Sequence, residues 1–168
     1  MNPDDSLLQP GQPIPDIELM DDEGRPFSIE TMRGRPFILF VYRENKTHLC
    51  KTEICELRNY YPDIFVNGYD VVGLSPDTQE SQAKTASKLL LNFNLVADPE
   101  MKLIKALGAY GQRMAFGKLH TGVYRSTFII DGAGIIEHTI SKVRSKQAAD
   151  QLLDIIDDRR QKADDPKS

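Results

Sequence analysis

Phe37-Ile38-Leu39-Phe40-Val41-Tyr42 is an unbroken apolar, β-prone run, and a few residues later comes Thr47-His48-Leu49-Cys50-Lys51-Thr52-Glu53-Ile54-Cys55. A run of that kind, introduced by Pro36, reads as a central strand covered on both faces, as in sheets with parallel pairing. The following segment reads as a helix from about Leu49 to Tyr61, stopped by Pro62. Cys50, Ile54, Leu57 and Tyr61 fall at i, i+4, i+7 and i+11, which places Cys50 on the inward stripe and Cys55 on another face. A strand feeding a helix that begins with a cysteine favours a reactive thiolate. The free N–H groups and the positive dipole end of the first turn stabilise the anion.

Working outward, residues 1–13 carry three prolines and little apolar content and read as an extended lead-in. Ile14 to Leu19 alternates as an edge strand would, with Asp16 and Glu18 outward. Asp21-Asp22-Glu23-Gly24 is a turn, and Phe27 to Glu30 is a short strand or a helical turn. Tyr69 to Leu74 is a second buried strand, Thr78 to Leu91 a helix, Leu95 to Ala97 a short strand, and Met101 to Leu107 a helix ended by Gly108. A glycine-bearing loop around Gly111 and Gly117 leads to a strand over Val123 to Ile130. The turn Asp131-Gly132-Ala133-Gly134 then joins it to a paired strand over Ile135 to Ile140. An amphipathic helix over about Lys146 to Arg159 precedes a charged tail. The βαβα order followed by a hairpin and a terminal helix is a thioredoxin-like α/β arrangement with a mixed central sheet, a single domain with an insertion in the middle.

At 168 residues and 40% hydrophobic content, the chain can bury a core without covalent staples, so its only two cysteines are free for chemistry. The net charge of −4, with no long basic run, argues against nucleic acid and anionic membranes as partners. The acidic start Met1-Asn2-Pro3-Asp4-Asp5-Ser6 lacks the features of a signal peptide, and no segment approaches membrane-spanning length. The expectation is a cytoplasmic protein, in a compartment where paired cysteines serve redox catalysis, sensing or metal binding.

Thr47 stands where a helix cap would, with its hydroxyl able to accept the Cys50 amide. Arg125, in the apolar stretch around Val123 to Phe128, needs an anionic partner, and the Cys50 thiolate and Glu53 are both candidates. If both cysteines are helical, i and i+5 lie about 140° apart with Cα atoms ~8.7 Å apart. Disulfides span roughly 4.4–6.8 Å, so any bond between them requires the first turn to unwind. A rival reading is a redox or copper-binding module in which Cys50 and Cys55 join His48, His120 or His138 in a thiolate–imidazole site. Copper-delivery proteins of this fold place their cysteines four apart; here the spacing is five. The Gly111 to Gly117 stretch is too irregular for a phosphate loop.

Thr47, Cys50, Thr52, Glu53 and Cys55, together with Arg125 ahead of Phe128-Ile129-Ile130-Asp131, resemble the peroxiredoxins of the peroxiredoxin Q, or bacterioferritin comigratory protein, type. That group follows a strand with Pro-x-x-x-Thr-Pro-Gly-Cys-x-x-Glu-x-Cys. The likeness extends through Val72-Gly73-Leu74-Ser75, Leu90 to Phe93, Ala97-Asp98 and Gly117-Lys118. It implies a cofactor-free thiol peroxidase of the atypical two-cysteine type. Cys50 would attack hydrogen peroxide or an organic hydroperoxide and become a sulfenic acid. Cys55 would resolve it as an intramolecular disulfide, and thioredoxin or a similar dithiol donor would reduce that bond. Thr47 and Arg125 would orient the peroxide and stabilise the thiolate, with Glu53 supporting the first-turn network. An internal pair removes the need for a dimer, so a monomer or weak homodimer is expected. The chain departs from the pattern at Arg43, where the group has proline, and at His48-Leu49, which replaces Pro-Gly.

Overall fold

The computed structural model describes residues 7–43, 48–115 and 117–140, with the backbone alone for 48–53 and 113–115. Strand β3 (Phe37–Val41) is wholly buried and is the hub of the sheet. It pairs in parallel with β4 (Asp70–Ser75) and antiparallel with β8 (Ser126–Ile130). Strand β5 (Asn94–Ala97) continues the parallel series beyond β4. Strands β1 (Leu19–Asp21) and β2 (Pro26–Phe27) close one edge, β9 (Ile136–Ile140) the other, in the order β2-β1-β5-β4-β3-β8-β9.

Alternation along β3 divides the core in two. Phe37, Leu39 and Val41 join Val72, Leu74, Phe128 and Ile130 on one face, where Ile29 and Met32 of helix α1 (Ile29–Met32) and Leu103 and Ile104 of helix α4 (Lys102–Ala106) cover them. Ile38, Phe40 and Tyr42 join Val71, Leu95 and Ile129 on the other, beneath Ile54, Leu57 and Ile64 of helix α2 (His48–Val66). Helix α3 (Gln79–Lys88) lies on this second face, with Ala86 packed against the cluster. The result is a sheet with helices on both faces, as the pattern of elements predicts.

Several elements differ from the sequence reading. Helix α2 does not stop at Pro62 but continues to Val66 with the proline inside it. A proline removes the N–H that would bond the carbonyl four residues earlier. Here that carbonyl, of Arg58, accepts a hydrogen bond from Asn92 Nδ2 at 3.3 Å instead. The extra turn buries Ile64, and the Tyr61 ring packs on Phe65 and Phe93. The lead-in is docked from Leu7 onward: Leu7 is buried, the Leu8 amide donates to Leu107 O, and the Gly11 amide donates to Ile136 O. Alternating exposure does run through Ile14 to Leu19, but the paired strand begins only at Leu19. The stretch read as a glycine-bearing loop is one strand of a separate hairpin, β6 (Tyr110–Ala115) with β7 (Lys118–Val123). Along β7, Lys118 to Thr121 are exposed and only Val123, at the base, is buried. The terminal helix expected over Lys146 to Arg159 lies outside the described residues.

The turn after β8 is held by Asp131, whose Oδ1 accepts the amides of Ala133 and Ile135, both at 2.9 Å, with Gly134 at φ +82°. Gly73 in β4 is required for a different reason. It sits in register between Phe40 and Leu95, and a Cβ there would lie 2.6 Å from Leu95 Cδ2 and 2.8 Å from Phe40 Cζ. Gly73→Ala is therefore expected to cost about 1–3 kcal/mol in chemical denaturation, the usual penalty for overpacking; a neutral result would mean the two flanking side chains have other room.

Tyr61 reports on the α2–β4 contact. Burial, and then its hydrogen bond of 2.8 Å to Asp70 Oδ1, push the phenol up to about 12 from its usual value near 10. The folded state holds this proton more tightly than the unfolded chain, so the contribution is complete below pH 10 and is lost as pH rises from about 10 to about 12. A phenolate absorbance titration of the native protein minus that of Tyr61→Phe should have its midpoint near 12. A difference curve centred at the ordinary tyrosine value would show that the contact is not formed.

Candidate active site

The carboxyl ends of β3, β4 and β5 form one edge of the sheet, where open α/β folds place their sites. Strand pairing continues one residue past β3, since the Tyr42 amide donates to Leu74 O at 3.0 Å. The Tyr42 ring is buried, and its hydroxyl donates to Gln82 Oε1 at 2.8 Å. Gln82 Nε2 donates in turn to Ser75 Oγ at 2.9 Å and to Val96 O at 2.8 Å, while Ser75 Oγ donates to Asp77 Oδ2 at 2.6 Å. Buried polar groups need such partners. This network ties the exits of β3, β4 and β5 to α3, so the point where the chain leaves β3 is rigidly placed.

Helix α2 starts at His48, and Cys50 is its third residue. The backbone thus places Cys50 in the first helical turn, where unpaired amides favour a thiolate. Thr47, the expected cap, lies outside the described residues, as do the side chains of His48, Cys50 and Glu53. Cys55 is a half-buried free thiol in the second turn, between the buried Ile54 and Leu57. Both cysteines are helical, so the i,i+5 separation of ~8.7 Å applies to them.

Arg125 is not inside a strand. Val123 to Ile130 divides into β7 and β8, and Tyr124-Arg125 is the connection between them. The reason is a change of partner: the Tyr124 amide donates to Ala109 O at 2.7 Å and its hydroxyl to Gln112 O at 2.7 Å, so Tyr124 still belongs to the hairpin. Ser126, opposite Val41, is the first residue on the main sheet. Half-buried Arg125 therefore lies one residue beyond the last β3–β8 pair, at the sheet edge from which α2 departs. Two separate chain segments thus meet this edge: the start of α2, with Cys50 in its first turn and Cys55 in its second, and the entry to β8 with Arg125.

Two features escaped the sequence reading. Arg43, where the resembling pattern has proline, is exposed, and its Nε donates to Val123 O at 3.1 Å, which fastens the exit of β3 to the exit of β7. Gln82 gave no signal, being one polar residue in a helix of polar residues; Tyr42, a hydroxyl at the end of an apolar run, was the clue that a buried partner existed. Two of the three histidines considered for a metal site lie apart in different sheets, His120 exposed on β7 and His138 exposed on β9. Among the described residues no group of three His, Cys, Asp or Glu side chains could hold a metal ion.

Residues 10–139 match the AhpC/TSA family. The chain is 33% identical over 147 residues to a putative peroxiredoxin Bcp of Helicobacter pylori strain J99, covering 88% of this chain and 97% of that protein. It is 32% identical over 155 residues to peroxiredoxin Bcp of Bacillus subtilis, covering 92% and 99%. In structure it is similar to peroxidoxin BcpB of Mycobacterium tuberculosis, with a TM-score of 0.77 and 27% identity over 89% of this chain and 96% of that one. The bacterioferritin comigratory protein of Xanthomonas campestris shares the fold, with a TM-score of 0.81 at 24% identity over 91% and 97%. A thioredoxin-like sheet with a helix-borne cysteine at its carboxyl edge thus coincides with relatives matched over nearly their whole length, and the chain belongs to the AhpC/TSA family as a peroxiredoxin of the Bcp, or peroxiredoxin Q, type.

Proposed function

We propose that Cys50 is the peroxidatic thiol of this peroxiredoxin and Cys55 its resolving thiol, in a single thioredoxin-like domain. The observation that carries the assignment is their placement on one helix at the carboxyl edge of the sheet, with Cys50 in the first turn and Cys55 one turn deeper. The protein is a thiol-dependent peroxidase. Its family uses peroxide substrates and thiol reductants, and the related Xanthomonas campestris protein is described for alkyl peroxide reduction.

In the first step the Cys50 thiolate attacks the distal peroxide oxygen. The S–O bond forms as the O–O bond breaks, giving Cys50 sulfenic acid and an alkoxide or hydroxide that is protonated to alcohol or water. Positive charge from Arg125 and from the amides of the first helical turn stabilises both the thiolate and the departing oxyanion. In the second step the Cys55 sulfur displaces the sulfenic oxygen as water, and the Cys50–Cys55 disulfide forms. A dithiol of the thioredoxin kind then supplies two electrons and two protons to restore both thiols. Thr47 orients the peroxide and Glu53 supports the first-turn network. No second subunit is needed, so a monomer or weak homodimer suffices. A reducing compartment such as the cytoplasm suits a cycle that depends on a dithiol donor, and no helix among the described residues is long and apolar enough to cross a membrane.

The helix separates the two roles. Cys50→Ser should abolish peroxide consumption, whereas Cys55→Ser should react once and stop at a sulfenic acid trapped by dimedone. Peroxide-treated native protein should lose two hydrogens in mass without forming a covalent dimer and exchange its amides faster across residues 48–57. The reason is that ~8.7 Å between Cα atoms cannot be bridged until the first turn opens. An oxidised form that runs as a disulfide-linked dimer would remove Cys55 from the resolving role.

Arg125→Met should raise the Cys50 pKa and slow peroxide attack, by roughly tenfold or more if the lost hydrogen bond to a charged group is worth about 1.5–3 kcal/mol. Alkylation rates followed against pH give the first quantity and single-turnover kinetics the second. If neither moves, Arg125 is confined to a structural role.

A further inference from the structure

Beside the β1–β5 pair, between the starts of α3 and α4, the fold leaves a cleft of about 380 Å3, within the size range of small-molecule sites. It lies on the β1 side of the sheet, with β4 between β5 and β3, and none of the residues assigned to the peroxidase lines it. Its walls are largely apolar, supplied by Leu19, Met20, Ala97 and Pro99. Met20 is left 51% exposed here, an unbranched thioether of the kind that adapts to a ligand. The walls are also fixed in advance. Met20 pairs with Ala97 in the sheet, and the Gln79 side chain donates to Asp22 O at 3.0 Å. The turn after β5 is held by buried Asp98, whose two carboxylate oxygens accept the Lys102 and Ile104 amides, both at 2.9 Å. Those amides are therefore not available to an anion. The charge around the cleft has one sign in excess, with Glu18, Asp98 and Glu100 against Lys102 alone. Glu100 and Lys102 pair at 3.1 Å, whereas Glu18, exposed on the rim, enters none of the ion pairs among the described residues.

We propose that this cleft is a binding site for a small organic cation, whose alkyl body lies against Met20 and Pro99 and whose ammonium meets Glu18. Apolar walls with a few placed polar groups are the usual make-up of a small-molecule site, and preformed walls spare the ligand an ordering cost. The excess of carboxylates repels an anion, and a neutral apolar molecule forgoes the attraction of Glu18. A primary ammonium is favoured over a quaternary one, because it donates hydrogen bonds to a carboxylate and no aromatic ring lines the cleft to receive a quaternary head. The site stands apart from the thiols and does not depend on which cysteine is peroxidatic.

The test titrates three probes that share one alkyl body, hexylammonium, hexanol and hexanoate, into the isotope-labelled, reduced, full-length protein and follows its amide resonances. Hexylammonium should shift Met20, Ala97 and Glu100 with a millimolar dissociation constant, about two- to fivefold tighter than hexanol, the worth of a solvent-facing ion pair, and hexanoate should bind weakest. Glu18→Gln should remove the margin between hexylammonium and hexanol while leaving hexanol binding unchanged, and raising salt should shrink that margin in the native protein but not in Glu18→Gln. Met20→Ser, a change at an exposed side chain, should weaken hexylammonium and hexanol alike. Equal affinity for hexylammonium and hexanol overturns the proposal, as does a margin that survives in Glu18→Gln. Shifts that fall elsewhere on the protein, or none up to the solubility limit of the probes, overturn it as well.

Discussion

Strand β3 has to satisfy two cores at once. Its odd positions, Phe37, Leu39 and Val41, pack on one side of the sheet, and its even positions, Ile38 and Phe40, pack on the other together with Tyr42 just past its end. Neighbouring strands fit around that constraint: Gly73 yields its side-chain space to Phe40 and Leu95, and β8 pairs along all five residues. Because both faces are filled, β3 cannot shift register by one residue without exchanging its two sets of contacts. Everything that emerges from its carboxyl end inherits that fixed position.

What emerges is the segment that leads to Cys50 and Cys55. Tyr42 is pinned through Gln82 to α3, and Arg43 through Val123 to the hairpin, so the first two residues past β3 are held from both sides. Ile54 and Leu57 hold α2 from its second turn onward. Between these two anchors lie the Thr47 to Glu53 positions. The proposed cycle opens the first turn of α2, between these two held segments.

The continuation of α2 through Pro62 belongs to this logic. A shorter helix would leave Ile64 and the Tyr61–Phe93 contact outside the core, and those groups are part of what keeps the lower half of α2 in place. The Asn92 side chain supplies the donor that a proline lacks. That substitution of partner comes from the loop after α3, about thirty residues away in sequence, and stabilises a turn that local preference disfavours.

The sequence by itself determined the elements whose pattern is local. The apolar run of β3, the 3.6-residue stripe of Ile54 and Leu57, the Asp131 turn and the five-residue cysteine spacing are all readable without neighbours, and they suffice for the fold class and for the redox reading. Tertiary structure alone decided the rest. Pro62 stays helical because Asn92 reaches Arg58 O; Arg125 leaves the strand because Tyr124 pairs with Ala109; Gln82 is buried because Tyr42 needs an acceptor. Arg43 braces the exit of β3 because Val123 O lies within its reach. In each case the partner is about thirty or more residues distant or belongs to another element, and hydrogen-bond satisfaction between distant groups leaves no periodic mark in a sequence.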